Sequence, residues 1–305
     1  MPKVRLLKPQ ELLADDAPRF DEFHPLLLAD GDSWFALGSV PAHNLLEQLD
    51  FGAHGAVINL ASPGETVSER EKTLRSGAAF RRIDMWAPAF ARFVEAAAAY
   101  PLDAVVLSAG GNDLVDAFPH LLKRDFDFQA VDPTKPEGAL DAQALRRFDD
   151  FVRASLTGIV NFVRNQGGPN HSVPVFCHTY DVPTPNDAPA TILGSRIGQA
   201  WLYPRLVERQ VPPALWAPLI ESLVRHLATV LRSVKLPDFH VISTQDTLTR
   251  AHRNMHGESG DWENEIHPNS NGYRKLARRL SQAIAHELGV QEGNLRLDRA
   301  DAFAT

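Results

Sequence analysis

Five short apolar runs recur along the chain, at 26–29, 56–60, 104–107, 173–177 and 239–242. None shows a sustained alternation of apolar with polar residues, and each has the length of a strand rather than of a helix. Such runs belong to strands covered on both faces. Helical patterns stand between them. Leu45, Leu46 and Leu49 mark a short helix over 41–49 that opens with Pro41. Thr66 and Glu69 form a capping-box pattern that starts a helix towards Gly77. Trp86, Phe90, Phe93, Val94 and Ala97 lie at helical spacing. Leu145, Phe148, Val152, Leu156, Ile159 and Val163 recur at threes and fours, and Leu219, Leu223, Leu227 and Leu231 at fours. Tyr273, Leu276, Leu280 and Ile284 mark the closing helix. Buried strands separated by amphipathic helices predict an α/β fold, a parallel five-stranded sheet inside a three-layer sandwich. The reading is one domain over 1–305. It has a proline-marked surface arm at 1–25, irregular insertions at 118–140 and 183–213, and a tail at 293–305 without periodicity.

Composition narrows the partners. The formal net charge of −7 argues against nucleic acid and anionic membranes. Cys177 is the only cysteine, so an intrachain disulfide is excluded and a reducing, cytoplasmic setting is expected. Residues 1–16 are charged and lack the apolar core of a signal peptide, and no other run is expected to span a bilayer. There is no glycine-rich phosphate loop and no clustered Cys/His spacing, so neither cofactor nor metal is implied. His252 and His256 share a helical spacing, but Arg250, Arg253 and Asn254 around them supply no anionic ligand.

In a parallel sheet the loops at the carboxyl ends of the strands converge on one crevice. Ser33 follows the first strand by way of Gly31 and Asp32, Gly64 lies in the loop after the second, and Asn112 follows the third. His267 stands between the fifth strand and the last helix. Taken singly, each is an ordinary turn or loop residue. Together they contain what acyl transfer by serine requires. Ser33 would be the nucleophile and His267 the base. The Ser33 and Gly64 backbone N–H groups and the Asn112 amide would be donors for a developing oxyanion.

The four stretches Gly31-Asp32-Ser33, Asn59-Leu60-Ala61-Ser62-Pro63-Gly64-Glu65-Thr66, Gly111-Asn112-Asp113 and His267-Pro268 resemble, in order, motifs of the SGNH (GDSL) hydrolase family. The resemblance implies a flavodoxin-like sheet of strand order 2-1-3-4-5. It also implies hydrolysis of small-molecule acyl esters through an acyl-serine, without a cofactor. The chain departs from the family at one position: three residues before the histidine, where an aspartate is usual, stands Asn264. Either Asn264 orients His267, or another carboxylate has taken that place, with Asp181 the first candidate and Glu263 the next. Trp34 and Trp201 are candidate pocket residues, and the segment 183–213 that carries Trp201 is expected to cover the crevice and limit acyl length. Acyl transfer to an acceptor other than water, and a non-catalytic binding protein of the same fold, are the alternative functions.

Overall fold

The computed structural model describes residues 4–8, 11, 18–36, 44–67, 101–165, 168–189, 191–192, 195–196 and 199–290. The helix read towards Gly77, the helical pattern from Trp86 to Ala97 and the tail at 293–305 lie outside them. The chain forms β1 (Arg5–Leu7), β2 (Leu26–Gly31), β3 (Ala56–Asn59), β4 (Ala104–Ser108) and β5 (Val175–His178). A small antiparallel pair, β6 (Thr191–Ile192) and β7 (Ser195–Arg196), precedes β8 (Phe239–Ile242). The helices are α1 (Ser33–Ala36), α2 (Gly111–Leu121), α3 (Ala142–Asn165), α4 (Tyr203–Glu208), α5 (Pro213–Ser233) and α6 (Ser270–Leu288).

The main sheet has the order β1-β3-β2-β4-β5-β8, and every pairing in it is parallel. The five expected strands therefore stand in the expected order. One correction is needed: among the described residues the main sheet has six strands, because part of the N-terminal arm pairs with β3 as an edge strand and buries Leu7. Three residues hemmed in by prolines carry too little periodicity to read as a strand. From β2 the chain steps one way to β3, and from β4 it steps the other way to β5 and β8. Right-handed crossovers put these two sets of connections on opposite faces of the sheet. Helices α2, α3 and α5 pack together, while α6 packs against β8 and a short turn at Leu46–Gln48.

Two further expectations are corrected. The stretch 118–140 is not irregular from its start, because α2 continues through Pro119 to Leu121. Beyond it, two short turns bury Phe128 and Ala139. Also, α5 is long and apolar enough to cross a bilayer by length and composition, whereas no such run is expected from the sequence. Nine of its residues are buried within the fold, and that packing accounts for its apolarity.

The sheet positions the site through the β2–β4 pair, where Gly31 lies opposite Ser108. The Gly31 φ of +147° is poorly open to other residues, and a Cβ there would lie 2.4 Å from the Ser108 carbonyl oxygen. Glycine thus lets the two central strands end side by side, with Asp32-Ser33 next to the Ala109–Asn112 turn. Gly31→Ala should cost on the order of 3 kcal/mol or more, by strain and overlap with backbone. Gly257→Ala, where nothing lies within 4 Å of the added carbon, should change stability by less than about 0.5 kcal/mol. Urea unfolding of the two variants checks the contrast, and equal midpoints would remove the role given to Gly31.

Candidate active site

β2 ends at Gly31, and Asp32 turns the chain into α1. The Asp32 carboxylate accepts the Trp34 N–H at 3.0 Å, and the Asp32 carbonyl accepts the N–H groups of Phe35 and Ala36. Ser33 is the first residue of this short helix and is 6% exposed. Among the described residues its N–H has no acceptor. Its Oγ lies 2.7 Å from His267 Nε2.

His267 comes from the loop between β8 and α6, and that loop is held by Asn264. The Asn264 Oδ1 accepts the N–H of His267 at 3.0 Å and that of Ile266 at 3.2 Å, and lies 3.1 Å from His267 Nδ1. Backbone N–H groups only donate, so the atom they face is the amide oxygen. The same oxygen faces Nδ1, which must then carry the ring proton. Nε2 is left as the acceptor for the Ser33 hydroxyl. Burial pushes His267 down to about 4, and no carboxylate acts against that shift. The imidazole is therefore neutral at neutral pH.

Asp181 is not at this ring. Its carboxylate accepts the N–H groups of Val182, Asp246, Thr247 and Leu248 at 2.7–3.0 Å. Of the two alternatives for orienting His267, Asp181 in place of the missing acid is ruled out by that geometry. The carboxylate gathers the loop after β8 and has no reach left for His267.

The two other motif loops are fastened to the same strand ends. The Gly31 carbonyl accepts the Ser62 N–H at 2.9 Å. The Asn112 Nδ2 donates to the Glu65 carbonyl at 2.8 Å, which uses one of its two protons. Gly64 sits between these ties with φ +77°, a left-handed conformation suited to glycine. Asp113, one residue beyond Asn112, accepts the Val67 N–H at 2.9 Å, and burial raises its carboxyl to about 7.

Beneath Ser33 lies a polar cluster that no sequence pattern announces. Ser108 Oγ lies 2.7 Å from Asp32 Oδ1 and 2.9 Å from His178 Nε2. Tyr180 donates to Asp32 Oδ2 at 2.5 Å, and His178 Nδ1 lies 2.8 Å from the Thr179 carbonyl. The trio has the residue types of a catalytic triad. However, Ser108 and His178 are 1% and 0% exposed, so substrate has no route to that serine and histidine. The carbonyl of Thr179 requires a proton on His178 Nδ1. The single Ser108 proton cannot serve both Nε2 and Asp32. A complete set of hydrogen bonds therefore needs one more proton, on Asp32 or on His178. Burial raises Asp32 to about 6 and lowers His178 to about 4, so Asp32 is the better holder. The cluster fixes the Asp32 turn from which Ser33 projects.

Trp34 is buried, donates from Nε1 to the Ile266 carbonyl at 3.1 Å and stacks on His178. Trp201 meets His267 edge-on, with ring centroids 5.0 Å apart. What holds Trp201 there is Glu265, a site residue absent from the sequence-based candidates. Its carboxylate is 1% exposed and accepts the N–H groups of Trp201, Leu202 and Tyr203 at 2.5–2.7 Å. It thereby ties the start of α4 to the loop that carries His267. The signal available in sequence is an acid beside Asn264, with no feature showing that backbone N–H groups would be its partners.

Glu265→Gln leaves one acceptor oxygen and turns an NH₂ towards one of these N–H groups. Loss of a hydrogen bond to a charged group costs about 1.5–3 kcal/mol. Thermal unfolding should show a lower Tm, and tryptophan emission should shift as Trp201 loosens. Glu208→Gln, which breaks only the exposed pair with Arg205, should stay within about 1 kcal/mol of the parent. An unaltered melt and emission for Glu265→Gln would contradict the clamp.

No protein-family model matches the chain, and no curated protein matches it. Several solved structures are similar to it. One is a family two carbohydrate esterase from Clostridium thermocellum in complex with cellohexaose, at 14% identity, 90% of this chain, 67% of that chain and a TM-score of 0.43. A second is an inhibitor-bound aryl esterase of M. smegmatis, at 15% identity, 86% of this chain, 98% of that one and a TM-score of 0.43. A third is an extracellular lipase from Streptomyces rimosus, at 14% identity, 85% of this chain, 99% of that one and a TM-score of 0.43. These are loose superpositions, and the chemistry of the site is read from the geometry of its own residues.

Proposed function

We propose that this protein is a serine hydrolase that cleaves carboxylic esters through an acyl-serine intermediate. The observation that carries the reading is the 2.7 Å contact between Ser33 Oγ and a His267 Nε2 obliged to accept, because Nδ1–H is spent on Asn264. In the acylation step Ser33 Oγ attacks the ester carbonyl carbon while its proton passes to Nε2. The Ser33 N–H, the Gly64 N–H and the remaining Asn112 amide proton hold the oxyanion. Collapse expels the alkoxide, which takes the proton from Nε2. Water then repeats the sequence on the acyl-serine and releases the acid. The substrate is a small-molecule acyl ester, and no step calls for a cofactor.

A serine with a histidine and no carboxylate is a workable base when the tautomer is correct. The large loss seen on Asp→Asn in a triad, ~10⁴ in kcat, comes from the wrong tautomer. Here the two backbone N–H groups on Asn264 Oδ1 prevent that error. What is missing is the charge that would stabilise the imidazolium, so turnover is expected to be slower than with an aspartate.

Ser33→Ala should fold normally and lose esterase activity by several orders of magnitude, with p-nitrophenyl butyrate as the assay. An organophosphonate should label Ser33 and nothing else. Near-normal turnover in Ser33→Ala would sink the assignment.

The pH profile tests the role of His267. A base with its pKa lowered to about 4 is unprotonated at any pH above that value, so kcat/KM should fall only as pH drops through about 4. Asn264→Asp places an anion at Nδ1, favours the imidazolium, and should move this acid limb up by about 1–3 units. A wild-type limb already near neutrality, or no movement in the variant, would contradict the arrangement.

A further inference from the structure

We infer that the esters taken by this site carry an uncharged acyl chain longer than acetyl, which lies in an apolar cleft between α2 and α5. The inference rests on the hydrolytic reading above and adds the acyl group to it. A cleft of about 610 Å³, its open mouth included, begins at Ser33, Gly111 and Asn112. Its far wall is Leu114, Val115 and Phe118 from α2 with Ile220, Leu223 and Leu227 from α5. The lining is that of a small-molecule site, mostly apolar with a few polar groups at one end.

The cleft is assigned to the acyl side by where the proton must go. The leaving oxygen has to collect its proton from His267 Nε2, so the alcohol lies on the His267 side of Ser33. Ser33 and Asn112 line the cleft while the His267 and Trp201 side chains do not, although Ile266 and Trp262 of the His267 loop form part of its rim. The group that enters the cleft is therefore the one on the carbonyl side away from the base. Trp201, which meets His267 edge-on, belongs to the alcohol side. Acyl length is accordingly set by α2 and α5. Among its described residues the segment 183–213, expected to limit it, contributes Pro183 and Leu202 to the wall.

Charge follows from the same lining. Among the described residues no lysine, arginine or histidine lines the cleft, and its ionisable groups are Asp32, Tyr180 and Asp181. Asp181 is an acceptor for four N–H groups, and Asp32 accepts from Trp34 and Tyr180 and meets Ser108. Nothing there would pair with a carboxylate on the acyl chain, and burying that anion unpaired is strongly unfavourable.

The test is a series of p-nitrophenyl esters on the full chain, which keeps the alcohol constant. From acetate to hexanoate kcat/KM should rise roughly two- to fourfold per methylene, the range set by partial to full burial of each CH₂. p-Nitrophenyl hemisuccinate should be turned over at least a hundredfold less efficiently than the butyrate. Leu223→Trp, which fills the cleft, should lower the hexanoate-to-acetate ratio at least tenfold. Val115→Phe gives the same reading from a half-buried position if the first variant does not fold. A profile that is flat or falls from acetate, with Ser33 still labelled by an organophosphonate, would overturn the acyl assignment and leave the hydrolase standing. Turnover of no ester, with no adduct on Ser33, would overturn the hydrolytic reading and the acyl assignment together.

Discussion

The whole arrangement depends on which atom of Asn264 faces His267. An asparagine beside a catalytic-type imidazole is ambiguous, since either end of its amide could meet Nδ1. The ambiguity is removed by backbone, because the N–H groups of Ile266 and His267 point at the same amide atom and can only donate. That fixes the oxygen, the oxygen fixes the proton on Nδ1, and the bare Nε2 then faces Ser33 Oγ. A tight turn in the loop thus does the orienting work that a carboxylate does elsewhere. It does so without adding charge, so burial lowers the imidazole pKa unopposed.

The rest of the structure brings that loop and Ser33 to one place. Close approach of β2 and β4 at Gly31 sets the level of the Ser33 turn. The Asp32–Ser108–His178–Tyr180 cluster anchors the turn from below. Glu265 and Asp181 each spend a buried carboxylate on backbone N–H groups, one gathering residues 201–203 and the other residues 246–248. Buried acids are costly unless they are hydrogen-bonded or hold their proton. Both conditions are met here: Glu265 is raised to about 7 by burial while four backbone N–H groups, those of residues 201–203 and of Asn186, work the other way. A site assembled from loops is held in place by such polar ties, since loops bring little apolar surface of their own.

The five central strands are legible in the sequence because burial on both faces leaves uninterrupted apolar runs, and the strand ends then point to Ser33, Asn112 and His267. The edge strand at Arg5–Leu7 is not, since an edge strand of three residues has no pattern to detect. The alternative that Asp181 faces His267 fails for a physical reason. Adjacency of β5 and β8 correctly places its backbone near the crevice, but the direction of a carboxylate depends on local N–H groups that no periodicity announces. Glu265 and the buried cluster are invisible on the same ground. The Leu219-Leu223-Leu227-Leu231 repeat reads as a helix, and its leucines are buried in the core. That Leu223 and Leu227 also line a cleft beside Ser33 depends on the space left between α2 and α5, which a helical repeat does not encode.

The protonation of His267 is the most direct point of measurement. In protein labelled with ¹⁵N-histidine, the two ring nitrogens of His267 can be distinguished by NMR and assigned with the help of a His267→Gln variant. At pH 7 Nδ1 should carry the proton and Nε2 should be bare, and the ring should stay neutral down to about pH 5. A ring protonated on Nε2 alone, or an imidazolium at pH 7, would contradict the Asn264-directed base and the mechanism built on it.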